Sequence, residues 1–298
     1  MYDVIIVGAG PAGLSAGLIL GRCRRSVLIC DSGEYRNAPS RSMHGFLTRD
    51  GIEPAEFLGI GRAQLEPYGV ELRNVQVTDA RRNAGGFRLT LGNEKHESCK
   101  KLLLATGVID KIPPIRGIAA LYGKSVFHCP YCDGWELREQ PLATYGRGKD
   151  GLDLALALTT WSDDIVLCTD GRSWLSGADL RLLARRGVAV SEERIDHLEG
   201  RDGILERIVF KSGDSLPRRG LFICTRMDQR SDLAARLGCS FTQKGGVKTF
   251  KLEESRIPGL YVAGDASRDV QLVIVAAAEG AKAAFSINAE LRKEKDRE

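Results

Sequence analysis

In the stretch HCPYCDGWE, residues 128–136, two cysteines stand three positions apart. At this spacing Cys129 and Cys132 can be half of a zinc site, one end of a structural disulfide, or a dithiol that cycles between its reduced and oxidised forms. A tetrahedral zinc site needs two further Cys or His ligands at comparable spacing. The other cysteines, at 23, 30, 99, 168, 224 and 239, stand singly, and the chain has four histidines, so no metal is expected. As a redox pair the motif has the parts the chemistry needs. Cysteines at i and i+3 close a small disulfide ring, and a helix opening after them favours the thiolate. Asp133, directly after the pair, is placed either to carry the proton of a leaving thiol or to cap that helix. His128 is suited equally to proton transfer and to packing.

The rest of the chain has to position such a pair. Its 298 residues suffice for two domains with cores of their own. A hydrophobic content of 43%, a charged content of 28% and a formal charge of +4 describe an ordinary globular protein and imply no nucleic acid. Several single cysteines lie inside apolar runs such as VLIC and LFIC, where a thiol acts as a small core side chain, which favours a reducing compartment. No basic, apolar, small-residue cleavage pattern precedes DVIIV. The most apolar stretch, LVIVAAAEGAKAAF, is interrupted by Glu279 and Lys282 and is too short to span a bilayer. The expectation is a cytoplasmic protein without a membrane span. LRKEKDRE, at 291–298, reads as a solvated helix end.

Apolar runs of four to six residues alternate with helical patterns, which predicts an α/β protein with a parallel sheet wound by helices. YDVIIVGAGPAGLSAGLIL and PLATYGRGKDGLDLALAL both read as strand, glycine turn and apolar helix, so two nucleotide-binding domains of related design are expected. KIPPIRG at 111–117 and QKGG at 243–246 have the composition of crossovers. They predict a first domain of residues 1–114 plus 244–298, with a second, 115–243, inserted in it.

Gly8, Gly10 and Gly13, in GAGPAG with Pro11 and Ala12, follow a strand and open a helix. The three glycines allow a tight turn, close approach of backbone to a pyrophosphate, and close helix packing, with the phosphates at the positive helix end. Asp31 closes the next strand at a distance suited to a ribose hydroxyl. These residues together point to a bound dinucleotide.

Two later segments resemble the second and third flavin motifs of the two-dinucleotide-binding flavoproteins: LLLATG, ending in Thr106 and Gly107, and GLYVAGDAS, containing Gly264 and Asp265. The resemblance implies FAD, with Asp265 on its ribitol chain. CPYCDG followed by a second glycine loop resembles the thioredoxin reductase arrangement, two Rossmann-like domains with the dithiol in the inserted one. That family is normally a homodimer. By this resemblance Cys132 faces the flavin, and Cys129 exchanges with a thiol or disulfide substrate, a small dithiol or a thioredoxin-like protein.

The chain departs from that family in two places. Where a thioredoxin reductase carries HRRxxxR to hold the NADPH 2'-phosphate, this chain reads Thr169, Asp170 and Gly171, with Leu175 at the last arginine position and Arg172 nearby. Gly146, Gly148 and Gly151 keep dinucleotide spacing, but Lys149 and Asp150 are unusual there, and Arg226 stands where a glycine is expected. The inserted pocket is therefore expected not to take NADPH, leaving it empty, holding NADH with Asp170 on a ribose hydroxyl, or reused for another aromatic cofactor. YRNAPSRSMHGFLTRDG, from Tyr35 to Gly51, together with CPYCDGWE, looks more like the dithiol oxidase branch, and that comparison puts Asn37, His44 and Thr48 near the flavin. That branch often has His where this chain has Asp133. The expectation is an FAD-dependent dithiol/disulfide oxidoreductase running toward thiol oxidation. An NADPH-dependent thioredoxin reductase and a flavin-bound thiol redox sensor are the alternatives.

Overall fold

Strand β1 (Tyr2–Val7) is buried over Val4–Val7 because a strand runs parallel to it on each side, so its apolar residues need no polar alternation. Residues 1–267 and 270–296 are described in the computed structural model. After β1 come α1 (Pro11–Arg22), β2 (Val27–Asp31), α2 (Pro54–Ala63), β3 (Glu71–Asn74), β4 (Val77–Asn83), β5 (Gly86–Leu91), β6 (His96–Leu104) and β7 (Val108–Lys111). The chain continues with α3 (Ile118–Leu121), β8 (Val126–Phe127), α4 (Pro130–Asp133), β9 (Leu142–Tyr145), α5 (Gly148–Leu158), β10 (Ile165–Cys168), α6 (Gly177–Arg185) and β11 (Val188–Ser191). Strands β12 (Ile195–Arg201), β13 (Ile204–Phe210), β14 (Ser215–Pro217), β15 (Gly220–Ile223) and β16 (Arg226–Gln229) follow, then α7 (Leu233–Arg236), β17 (Leu260–Val262) and α8 (Val273–Lys295).

The chain divides into two compact units, one of Met1–Ala38, Gly45–Asp110 and Met227–Glu298, the other of Pro39–His44 and Lys111–Arg226. The first holds a seven-stranded sheet ordered β3-β2-β1-β6-β5-β4, with β17 also paired to β6. The long β6 serves two partners along one edge: His96–Cys99 take the antiparallel hairpin β4–β5, and Leu102–Leu104 take β17 in parallel. Helices α1 and α8 pack so closely that a Cβ on Gly280 would come within 2.0 Å of the Ala12 carbonyl. The second unit holds a parallel sheet, β11-β10-β9-β15-β8, and a three-stranded antiparallel sheet, β12-β13-β14. The two hairpin regions, β4–β5 and β12–β14, are absent from the alternating pattern that the sequence suggests.

The second crossing lies at 226/227, ahead of the expected 243/244. Strands β7 and β16 pair with each other, so the chain leaves and returns along one ribbon. QKGG is instead a local turn within the first unit: Thr242 N–H donates to the Gly246 carbonyl at 2.8 Å, and Gly245 has φ +85°. Leu233 and Ala234, before that turn, are already buried in the first unit with Leu104 and Val262. Helix α8 carries the expected solvated end as far as Lys295; Arg297 and Glu298 lie outside the described residues. Among the described residues no helix is long and apolar enough to cross a membrane.

Candidate active site

The three glycines of the first loop have separate tasks. Gly8 has φ +106°, and a Cβ there would meet the Ala105 carbonyl oxygen at 2.3 Å, so it permits both the turn and the approach of the neighbouring chain. A Cβ on Gly13 would come within 1.9 Å of the Gly8 carbonyl, so Gly13 sets how closely α1 lies on the turn. A Cβ on Gly10 would meet nothing within 4 Å, because Gly10 faces a cleft of about 500 Å³. Helix α1 begins here with no side-chain cap and no acidic residue in its first turn, which leaves its positive end for an anion.

Gly8, Gly10, Asp31 and Thr106 all line this cleft. Asp31 is buried: Oδ1 accepts from the Ala9 N–H at 3.1 Å, and Oδ2 pairs with Arg62 at 2.9 Å and accepts from the Tyr35 hydroxyl. It thus braces the glycine turn while lining the cleft. Gln76, Val77 and Thr78 and the segment Gln229–Asp232 complete the wall. Sequence reading missed these residues, since they come from strand ends with no motif of their own.

The other expected residues spread through the same unit. Pro11 and Thr48 line a second cavity of about 270 Å³, with Leu14, Phe46 and Phe57. Ala12 packs beneath Gly280, and Gly107, at φ +66°, accepts from Arg230 N–H at 3.2 Å. Gly264 N–H donates to the buried Glu279 carboxylate at 2.8 Å. Asp265 pairs at 2.8 Å with Arg36, which also grips Asp110 at 2.7 Å. Burial works against the Arg36 charge, but the two carboxylates outweigh it and raise its proton affinity above the ordinary value. Asn37 follows Arg36 and is half-buried. Arg36 lies in the segment quoted for the oxidase resemblance, yet nothing in its type or spacing marks it.

In the second unit Cys129 and Cys132 are joined in a disulfide. Cys129 is the N-cap of α4, and the expected helix is a single turn that ends at Asp133. Asp133 therefore closes the turn and caps nothing, and one turn has little macrodipole to offer a thiolate. Burial pushes the Asp133 carboxyl up to about 7, Glu136 adds to the rise, and His44 opposes it. His44 belongs to this unit through Pro39–His44; its Nε2 lies 3.5 Å from Glu136 Oε1 and 3.0 Å from Ser42 Oγ. His128 Nδ1 lies 2.9 Å from the Tyr122 hydroxyl, with the two rings stacked. Tyr131, between the cysteines, is exposed and meets Trp161 edge-on; exposed Trp135 lies under Arg138 at 4.2 Å. Elsewhere burial pushes Cys30, Cys99, Cys168 and Cys224 up to about 12, leaving them inert thiols at neutral pH. Among the described residues no three metal-ligating side chains converge.

The glycine loop of the second unit keeps the packing half of its design. Gly146 and Gly151 approach so closely that a Cβ on Gly151 would come within 2.6 Å of the Gly146 carbonyl carbon. The rest of the loop makes hydrogen bonds within the chain. Gly148 N–H donates to the Ser173 carbonyl at 2.7 Å. Arg147 donates to the Thr169 carbonyl at 2.6 Å and to the Asp170 carbonyl. Asp170, with φ +48°, accepts from Ile195 N–H at 2.9 Å, and Arg194 donates to its carbonyl at 2.8 Å. The acid expected to face a ribose or repel a phosphate is instead the knot of a latch between two loops.

A parallel sheet with a glycine turn, an uncapped helix end and an open cleft in one unit, and a CxxC disulfide beside a second glycine loop in the other, define a flavoprotein disulfide oxidoreductase. The first cleft fits the adenosine diphosphate end of FAD: Gly10 presents backbone without a side chain, and the first turn of α1 carries no acid to oppose the phosphates. Residues 2–280 match the family described as pyridine nucleotide-disulphide oxidoreductase, and the chain belongs to it. It is 32% identical to a protein of Arthroderma benhamiae named "probable thioredoxin reductase", over 99% of this chain and 81% of that one. The structure of TrxB from Bacillus anthracis superposes with a TM-score of 0.94 at 34% identity, covering 99% of this chain and 100% of that one. HlmI superposes with a TM-score of 0.96 at 36% identity, covering 99% and 94%. The protein is thus a thioredoxin reductase-like, flavin-dependent oxidoreductase acting on sulfur groups.

Proposed function

We propose that the protein oxidises small substrate dithiols through the Cys129–Cys132 disulfide, with non-covalent FAD as the electron acceptor and without NADPH. The observation that carries this reading is the latch: Gly148 N–H, which a bound pyrophosphate would need, is given to Ser173, and Arg147, Asp170 and Arg194 tie the adjoining loops together. A nicotinamide dinucleotide would have to break these contacts before it could bind.

Gly8, Gly10, Pro11, Ala12, Gly13, Asp31, Asn37, Thr48, Thr106, Gly107, Gly264 and Asp265 are the residues we assign to holding FAD. The bound flavin supplies a two-electron acceptor for the dithiol. The remaining chemistry belongs to the chain. A substrate thiolate attacks Cys129, the Cys129–Cys132 bond breaks with its electron pair on Cys132, and Asp133 gives that sulfur its proton. The proton lost by the substrate thiol restores the carboxyl through solvent. A second substrate thiol then displaces Cys129, leaving substrate disulfide and a protein dithiol. A carboxyl held near 7 suits this task, because it is still partly protonated where thiolates begin to form. His128, next to Cys129 in the chain, is held by the Tyr122 hydroxyl.

A second reading, an NADPH-dependent reductase of a thioredoxin-like protein, is favoured by the names of relatives such as the thioredoxin reductase tcpT of Claviceps purpurea. Oxygen consumption with a dithiol and no nicotinamide separates the two. Steady turnover supports the oxidase, and turnover only on adding NADPH supports the reductase. The buried single cysteines favour a reducing compartment such as the cytoplasm, and exposed Phe285 on α8 is consistent with a homodimer, which light scattering tests.

A further inference from the structure

All five N–H donors of Arg36 are taken. Nε donates to Asp110 Oδ2 and Nη2 to Asp110 Oδ1, both at 2.7 Å, a parallel fork on one carboxylate. Nη2 also reaches the Met227 sulfur at 3.4 Å. Nη1 donates to Asp265 Oδ2 at 2.8 Å and to Gln271 Oε1 at 2.6 Å. A guanidinium has no acceptor and no further donor, so Arg36 has nothing left to offer a phosphate or a flavin oxygen. It can act on a ligand only through the groups it holds.

Two of those groups mark the crossings of the chain. Asp110, on β7, ends one stretch of the first unit, and Met227, on β16, opens the next. A third is Asp265, assigned above to FAD. The backbone around it is already fixed: the Gly264 N–H before it donates to Glu279 at 2.8 Å, and the Ala266 carbonyl after it accepts from Gln229 Nε2, also on β16, at 2.9 Å. What is left to turn is the carboxylate, and Arg36 holds one oxygen of it. Oδ1 has no partner among the described residues, and the side chain is 21% exposed. One oxygen is anchored and the other is presented. Because Asp110 already balances the guanidinium charge, the Asp265 carboxylate remains a strong acceptor, suited to a sugar hydroxyl and not to a phosphate.

We propose that Arg36 is a positioning residue for FAD, fixing Asp265 for a ribityl hydroxyl and making that grip depend on β7 and β16, the strands by which the chain leaves and re-enters the first unit. The proposal rests on Asp265 holding FAD, which is one part of the proposed function, and not on which donor reduces the flavin. Asp110, buried and joined to Asp265 through Arg36, then belongs to the flavin grip at one remove.

The test is a double-mutant cycle on FAD release from the holoenzyme, followed by flavin fluorescence after dilution, with no dithiol or nicotinamide present. Asp265→Ala and Asp110→Asn are each expected to speed release, Asp110→Asn by on the order of tenfold, the lower end of what losing an orienting partner costs at metal sites. The variant carrying both is expected to release FAD at the rate of Asp265→Ala alone, within about twofold, because Asp110 acts through the carboxylate already removed. A packing role for Asp110 would instead multiply the two effects. That outcome overturns the proposal, as does an Asp110→Asn variant that holds FAD like the parent. Arg36→Lys keeps the charge and loses the fork, so it should also speed release, and it replaces Asp110→Asn in the cycle if that variant does not fold. Release from Asp265→Ala at the parental rate would reject the assignment of Asp265 to FAD and the proposal with it, whereas multiplied effects reject the proposal alone.

Discussion

Gly148 N–H donates to the Ser173 carbonyl at 2.7 Å, across the mouth of a loop whose glycine spacing is that of a dinucleotide site. The bond is one point at which the two glycine loops of a fold built twice differ. In the first unit Gly10 faces an open cleft, and in the second the equivalent N–H is already satisfied by the chain itself.

Asp170 holds that latch together, so Asp170→Ala should loosen it. The carboxylate accepts from Ile195 N–H and faces Arg147 and Arg194, and these partners are partly solvated. A loss of about 1–2 kcal/mol in unfolding free energy is expected, with flavin content unchanged. Denaturant melts of the holoenzyme and parallel flavin absorbance measure both.

Gly10 and Gly13 should respond differently to the same added methyl group. Gly13→Ala forces a Cβ onto the Gly8 carbonyl and should lower the melting temperature strongly or prevent folding. Gly10→Ala has room in the protein and should fold normally, yet release flavin during gel filtration, because its methyl enters the cleft. Equal stability loss in both variants would mean that Gly10 has a packing role.

Asp133 links folding to pH. Its carboxyl is raised from 3.8 to about 7, so the folded state holds a proton that the unfolded state has released. The stability this contributes is complete below about pH 4 and is lost as pH climbs through about 7. Asp133→Asn should therefore match the parent in acid and exceed it above neutrality, by on the order of 3 kcal/mol once partial exposure trims the full value. Stability curves of the two proteins against pH check where they part.

Much of the chemistry was legible in the sequence because it depends on short local patterns. GAGPAG requires a strand before it and a helix after it, and the CxxC needs only two sulfurs at helical spacing. What remained hidden was set by contacts distant in sequence. Arg36 finds Asp110 and Asp265 from three separate stretches, and Ser173 meets Gly148 through a backbone carbonyl that leaves no trace in residue type. The boundary at 226/227 was misplaced for a related reason, since QKGG turns the chain within a unit and the pairing of β7 with β16 brings it back. Asp170 was read as a group facing a ligand, but its partners Arg147 and Arg194 are 23 and 24 residues away.

Cys132→Ser should keep its flavin and lose the route by which thiols reach it. With Cys129 alone, a substrate thiol has no disulfide to open, so added dithiol should leave the flavin absorbance essentially unchanged over the time in which the parent bleaches. Rapid bleaching of this variant, followed in a stopped-flow spectrometer, would place the electron path elsewhere.

The central claim is that electrons enter from thiols through Cys129 and Cys132 and not from a nicotinamide. Anaerobic addition of a dithiol, and separately of NADPH and NADH, to the flavin-loaded protein tests it directly by flavin absorbance. The dithiol should bleach the flavin, admission of air should restore it, and neither nicotinamide should act beyond the buffer control. Rapid bleaching by NADPH at low concentration would contradict the claim and show that the latch between Gly148 and Ser173 opens to a nucleotide.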